Sequence, residues 1–175
     1  QQLKDLGINP YPAEEFVVTH KSKSLKEDFK PGVKVSMAGR MMSRRIMGKA
    51  SFAELQDAEG TIQLYLNRDE ICEGEDKTMY NSVFKKLLDR GDFIGIEGET
   101  FVTKVGESSV KVSGFKVLSK AVRPLPAVKT DEDGNVHDAF SDPELRYRMR
   151  YVDLCVNEKV KETFVARSNI IRTIR

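Results

Sequence analysis

The chain has 175 residues, with 29 Lys plus Arg against 27 Asp plus Glu, and 39% of it is hydrophobic. That length suits one domain with something added, and that apolar content excludes wholesale disorder. No apolar run approaches the ~20 residues of a membrane helix and no signal segment opens the chain, so the sequence predicts a soluble, cytoplasmic protein with no membrane partner.

Residues 1–32 read as a lead-in, in which Pro10 and Pro12 interrupt any helix and Lys21 to Lys30 forms a polar connector. From Val33 the pattern has period two. Val33, Val35 and Met37 alternate with Lys34, Ser36 and Ala38, predicting a first strand that runs into Arg40 and Met42 with its odd positions inward. Ser43 to Lys49 reads as a basic loop around Gly48. A second strand follows, with Ala53 and Leu55 inward and Phe52, Glu54 and Gln56 outward. The tight link Asp57 to Gly60 leads to a third, with Ile62, Leu64 and Leu66 inward and Gln63 and Tyr65 outward.

Met79, Val83, Leu87 and Leu88 recur at helical spacing between Thr78 and Leu88, ahead of Gly91. A fourth strand is predicted over Asp92 to Val102, a turn over Val105 to Ser108, and a fifth strand through Val110, Val112, Phe115 and Val117. The change of phase at Ser113-Gly114 predicts a β-bulge. Three strands, a helix and two strands is the order of an OB-fold, a five-stranded Greek-key barrel, here over residues 33–120. The fold class is therefore mainly β with helices. Arg123-Pro124-Leu125-Pro126 starts a stiff linker over 121–141, with an exposed turn at Asp131 to Asn135. Asp142-Pro143-Glu144 opens a short helix, and a longer one follows Asn157, with Val160, Phe164, Ile171 and Ile174 on one face. The chain starts at Gln1 and stops inside that helical pattern, which predicts a piece of a longer protein.

The outward faces carry the candidate site. Arg40 and Arg44 on the first strand, Phe52 on the second, and Gln63 and Tyr65 on the third would share the wall where OB-folds bind oligonucleotides. An outward Phe needs a reason, since burying it stabilises by about 1.5–3 kcal/mol. It is either a platform for a nucleobase or a ring covered by the lead-in or the helix. From Lys30 to Lys49 six basic residues (Lys30, Lys34, Arg40, Arg44, Arg45, Lys49) occur with no Asp or Glu, a stripe able to neutralise phosphates. Glu107 lies in the turn between strands four and five, where a carboxylate can accept bonds from base N–H groups. Lys111, just beyond it, offers a second base-reading or supporting contact.

Other chemistries find no footing. Cys72 and Cys155 stand far apart without CxxC spacing, and His20 and His137 lack partners at ligand spacing, so no metal site is expected. No GxGxxG, GxxxxGK[ST] or GxSxG occurs. The open readings are a free-standing single-stranded nucleic-acid-binding module, a protein-interaction barrel, or part of a larger RNA-recognising enzyme.

Several segments resemble the bacterial-type class II lysyl-tRNA synthetases. They are VSMAGRMMSRR (Val35–Arg45), IMGKASFAELQD (Ile46–Asp57), IQLY (Ile62–Tyr65), RPLP (Arg123–Pro126), DPELRYRMRYVDL (Asp142–Leu154) and the opening Tyr11-Pro12…Thr19-His20. Aspartyl and asparaginyl relatives share the barrel and an RY-x-DL segment, and the GKASF stretch favours the lysyl member. The resemblance implies that the barrel binds the uridine-rich anticodon of lysine tRNA. Phe52 would stack on the central base, Gln63 and Arg44 would bond its edge, and Glu107 would help read the third. Arg40, Arg45, Lys49 and Lys111 would be supporting or phosphate contacts. It further implies a parent enzyme, lysine–tRNA ligase, that works as a homodimer with ATP and Mg2+. Residues 142–175 would enter the first class II motif, a dimerisation helix. The Arg, Glu and Gly-rich signatures of the other two motifs are missing, so this segment alone is expected to hold no catalytic residue, no cofactor and no adenylating activity.

Overall fold

The computed structural model describes residues 1–72, 74–126, 128–130, 136–138 and 140–175. It divides into two compact units, Gln1–Pro124 and Leu125–Arg175.

The first unit begins with two short helices, α1 (Gln2–Asp5) and α2 (Ser22–Glu27). Leu3 and Leu25, one from each, are buried in the core of the barrel that follows. The lead-in is thus part of the barrel's packing. Between the helices the chain lies along the first strand: Thr19 N donates to Ser36 O at 2.9 Å, and Ser36 Oγ donates to Val17 O at 2.6 Å. Asp57 anchors α2 from across the barrel by accepting from Ser22 N at 2.6 Å and Ser22 Oγ at 2.7 Å. Partial burial pushes the Asp57 carboxyl upward, but these bonds and those from the Glu59 and Gly60 amides hold it below its ordinary value.

The barrel strands are β1 (Lys34–Met47), β2 (Ala50–Gln56), β3 (Thr61–Asn67), β4 (Phe93–Val102) and β5 (Ser108–Ser119). They close in the order β1-β2-β3-β5-β4, with β4 returning to β1. All pairs are antiparallel except β3 with β5, the parallel seam of the Greek key. Strict alternation in β2 and β3 buries Ala53, Leu55, Ile62, Leu64 and Leu66. Ile94, Ile96, Val110, Val112 and Val117 complete the interior. Ser113 is the extra residue of the expected bulge: Glu97 pairs with Gly114 and Gly98 with Val112. At Gly98 a Cβ would lie 2.2 Å from Lys111 O, so the strands approach there as only glycine allows.

The first strand departs from expectation in two ways. It does not loop out at Ser43 but runs to Met47 and turns through only Gly48 and Lys49, with Gly48 at φ +64°. A positive φ at the first of two turn residues is the type II′ pattern, whose twist matches the flanking strands. A second bulge, unforeseen, lies between Met41 and Ser43, so Met41 and Met42 are both buried and Met42 does not face outward. Beyond it the faces are exchanged: Arg44 pairs with inward Ala53, and Arg45 pairs with outward Phe52.

Between β3 and β4 stand α3 (Arg68–Ile71) and a π-helix (Met79–Leu87) that plugs the barrel end. Its five-residue repeat, with Leu88 N bonded to Val83 O at 2.9 Å, buries Tyr80, Val83, Phe84 and Leu88 and leaves the expected Met79 and Leu87 only partly covered. Tyr80 and Phe84 stack at 5.7 Å, and the buried Tyr80 hydroxyl pairs with Ser51 Oγ at 2.7 Å.

The second unit holds a ribbon of β6 (Val128–Thr130) and β7 (Val136–Asp138), inside what the sequence suggested was bare linker. The expected turn at Asp131 to Asn135 lies outside the described residues. Three helices follow: α4 (Pro143–Arg148), α5 (Arg150–Val156) and α6 (Glu158–Ile174). Asp142 caps α4 by accepting from Glu144 N at 3.1 Å. Asn157 stands at the start of α6 as expected, but its amide is spent on Asp153, donating to Oδ1 at 2.5 Å. Asp153 is fully buried and also receives Arg146 Nε at 3.0 Å and Arg150 Nη1 at 2.5 Å. Burial pushes its carboxyl up, yet Asn157, Arg146 and Arg150 together hold it below its ordinary value. A carboxylate depressed in the folded state contributes stability above its unfolded pKa of about 3.9 and loses it as pH falls through the lower native value. Amide exchange in α5 should therefore accelerate as pH drops below about 4, beyond its intrinsic pH dependence, and Asp153→Asn should remove that extra acceleration. An Asn variant with the parent's acid profile would count against this hub.

Candidate nucleic-acid interface

Strand register sets two rows of outward side chains across β1, β2, β3 and β5. The first runs Arg45, Phe52, Tyr65, Lys111, and the second Ser43, Glu54, Gln63, Ser109. Neighbouring strands lie about 4.8 Å apart, so adjacent members of a row are within side-chain reach.

Phe52 is half-buried on the outer wall, outside the barrel core. Its ring lies 5.4 Å from Tyr65, tilted by 56°, and Tyr65 in turn meets Phe101 edge-on at 5.7 Å. This line of three rings explains how an outward Phe is tolerated: one side packs on a neighbour while the ring still borders a cleft. The cleft has a volume of about 450 Å³ and is lined by Ser43, Arg45, Phe52, Gln63, Val105 and Glu107, with Lys26 of α2 at its edge. Gln63 is held at both ends of its amide. Nε2 donates to Glu107 Oε2 at 2.8 Å, and Ser109 Oγ donates to Oε1 at 2.8 Å. The site thus offers an aromatic edge, an amide, a carboxylate and a guanidinium, the combination that stacks a base and bonds its edge.

Phe52, Gln63 and Glu107 therefore come together, with Arg45 beside them. Arg44 does not join them, and its expected place on this face is corrected. The bulge turns it under the π-helix, where Nη1 donates to Phe84 O and to Leu88 O (2.7 Å for the latter) and the guanidinium lies 5.8 Å from the Phe84 ring. Arg40 is outward but pairs with Gln56, four residues or about 13 Å along β2 from Phe52. Its guanidinium sits 4.3 Å above Phe93 and donates to Gly91 O at 3.0 Å. Lys49 is exposed at the hairpin tip. Lys111 shares the first row but is paired with Glu70 at 3.1 Å and lines a separate cleft with Lys34, Glu97 and Glu99. The basic run is consequently not one stripe: Lys30 pairs with Asp28 at 2.8 Å, and the rest are dispersed by alternation and the bulge.

Sequence reasoning missed Phe101, Ser109 and Lys26. Phe101 was within reach, because it alternates with buried Thr100 in β4, whereas nothing local announced the other two. Among the described residues no group of three or more His, Cys, Asp or Glu comes together to hold a metal ion, and no helix is long and apolar enough to cross a membrane. Cys72 and Cys155 are free thiols.

Residues 35–118 match the tRNA anti-codon family, an OB-fold nucleic acid binding domain. The whole chain is similar to lysine–tRNA ligases. It is 62% identical over 173 residues to that of Christiangramia forsetii, 55% over 180 residues to that of Porphyromonas gingivalis strain W83, and 54% over 178 residues to that of Azobacteroides pseudotrichonymphae. These alignments take in 99%, 100% and 100% of this chain but 30%, 31% and 35% of the relatives, so the chain spans about a third of their length.

Proposed function

We propose that the chain is part of a lysine–tRNA ligase and that its barrel reads the anticodon of lysine tRNA, a reading supported by the OB-fold match and the 54–62% identity to such ligases. The parent activity is the ATP- and Mg2+-dependent attachment of lysine to that tRNA, in the cytoplasm and as a homodimer. The part taken by the described residues is recognition.

The observation that carries this reading is the cleft in which Phe52, Gln63, Glu107 and Arg45 converge. The Phe52 ring takes the central, uridine-type base. The Gln63 amide and the Arg45 guanidinium, which replaces Arg44 in this role, bond its edge. One oxygen of Glu107 holds Gln63, and the other serves the third base. Lys49 meets phosphate, while Arg40 and Lys111 supply the positive field further along the wall.

Base contacts and phosphate contacts respond differently to salt. Lys49→Ala should lower the slope of log affinity against log salt by about one and leave the preference for the central base unchanged. The decisive test is a competition among anticodon stem-loops that differ only in that base. Equal binding of all of them would overturn the anticodon reading in favour of a sequence-tolerant single-strand binder.

A further inference from the structure

The clamp on Gln63 has a consequence for base choice, resting on the anticodon reading above. A side-chain amide has two acceptor lone pairs and two N–H donors, and a half-turn about its last bond exchanges them in space. Uracil presents a C4 carbonyl acceptor beside an N3–H donor. Cytosine presents the opposite order, a C4 amino donor beside an N3 acceptor. An amide free to turn over can serve either pyrimidine.

Here it is not free. Nε2 faces Glu107 Oε2 and Oε1 faces Ser109 Oγ, each at 2.8 Å. The two partners are unequal. A serine hydroxyl donates or accepts, so Ser109 would satisfy the amide in either orientation. An ionised carboxylate only accepts, so Glu107 admits the amide with its nitrogen inward and no other way. The remaining lone pair and N–H then keep one spatial order, acceptor on the Ser109 side and donor on the Glu107 side. That order fits one pyrimidine and confronts the other with like against like.

We propose that Glu107, acting through the Gln63 amide, is the positioning residue that sets the choice of uracil over cytosine at the base carried by Phe52. Ser109, which is fully buried, supports the amide without deciding its direction.

The test measures affinities of the 175-residue chain for two anticodon stem-loops with uracil or cytosine at the central position. The parent should favour uracil by roughly tenfold or more, the difference between a matched and a mismatched hydrogen-bonding edge. Glu107→Gln, whose own amide accepts either orientation of Gln63, should shrink that ratio at least about fivefold, any lost contact with the third base falling equally on both RNAs and cancelling in the ratio. Glu107→Ala should shrink it similarly, and Ser109→Ala should keep it within about twofold. Thermal unfolding confirms that each variant is folded. A Glu107→Gln protein that keeps the parent's full ratio overturns the inference while leaving the anticodon reading intact. So does one that weakens both RNAs equally, or a ratio that collapses in Ser109→Ala but not in Glu107→Gln. A parent that binds both stem-loops alike defeats the anticodon reading itself.

Discussion

Replacing Arg44 by alanine is expected to lower the folding free energy by about 2–4 kcal/mol, and replacing Arg45 by alanine to change it by no more than about 0.5 kcal/mol. Arg44 closes the last turn of the π-helix with two bonds from a charged donor, and each such bond is worth roughly 1.5–3 kcal/mol. Those carbonyls lie where a helix leaves its acceptors unsatisfied, so removing the guanidinium exposes a deficit as well as losing a contact. Arg45 is exposed beside Phe52 and touches nothing the fold depends on. In stem-loop binding the order reverses: Arg45→Ala should lose about tenfold, while folded Arg44→Ala should bind nearly as the parent does. Urea denaturation and titration of the same two proteins decide the matter. An Arg44 variant of parental stability that no longer binds RNA would return Arg44 to the interface.

That pair of arginines marks the boundary of what local pattern reveals. Ala53 with Leu55, and Ile62 with Leu64 and Leu66, announce their strands because a half-buried strand must alternate, and the same logic exposes the bulge at Ser113, where the apolar phase jumps from Val112 to Phe115. The bulge at Met42 leaves no such mark. Met41 and Met42 are both apolar, so an extra residue between them shifts the face of everything downstream without breaking the hydrophobic pattern. The turn at Gly48 hides it further, since a run of basic residues before a glycine looks like a loop. The cleft is legible in part for a related reason. Phe52 and Gln63 declare themselves by alternation, but the partners that orient Gln63 lie 44 and 46 residues away, and no neighbouring residue predicts them.

Phe52→Ala should weaken stem-loop binding by about 1–3 kcal/mol, the value of stacking one base on an aromatic side chain. Stability should fall as well, through the contact with Tyr65, worth about 0.5–1.5 kcal/mol, and the apolar area that the half-buried ring covers. Phe52→Tyr should retain most of the affinity, since a second aromatic preserves the stacking surface. The loss in Phe52→Ala should also persist at high salt, where phosphate contacts fade, and that persistence separates stacking from general attraction. Unchanged affinity in a folded Phe52→Ala protein would mean that the ring serves only to pack against Tyr65.

Closure of the barrel along β3 and β5 also governs when this surface can exist. A growing polypeptide that has emerged only as far as β3 already displays Phe52 and Gln63, yet Glu107 and Ser109 have not been synthesised and the Gln63 amide can still turn over. Because strands remote in the chain must meet before the wall is complete, capacity to discriminate arrives abruptly with the final strand rather than growing by degrees.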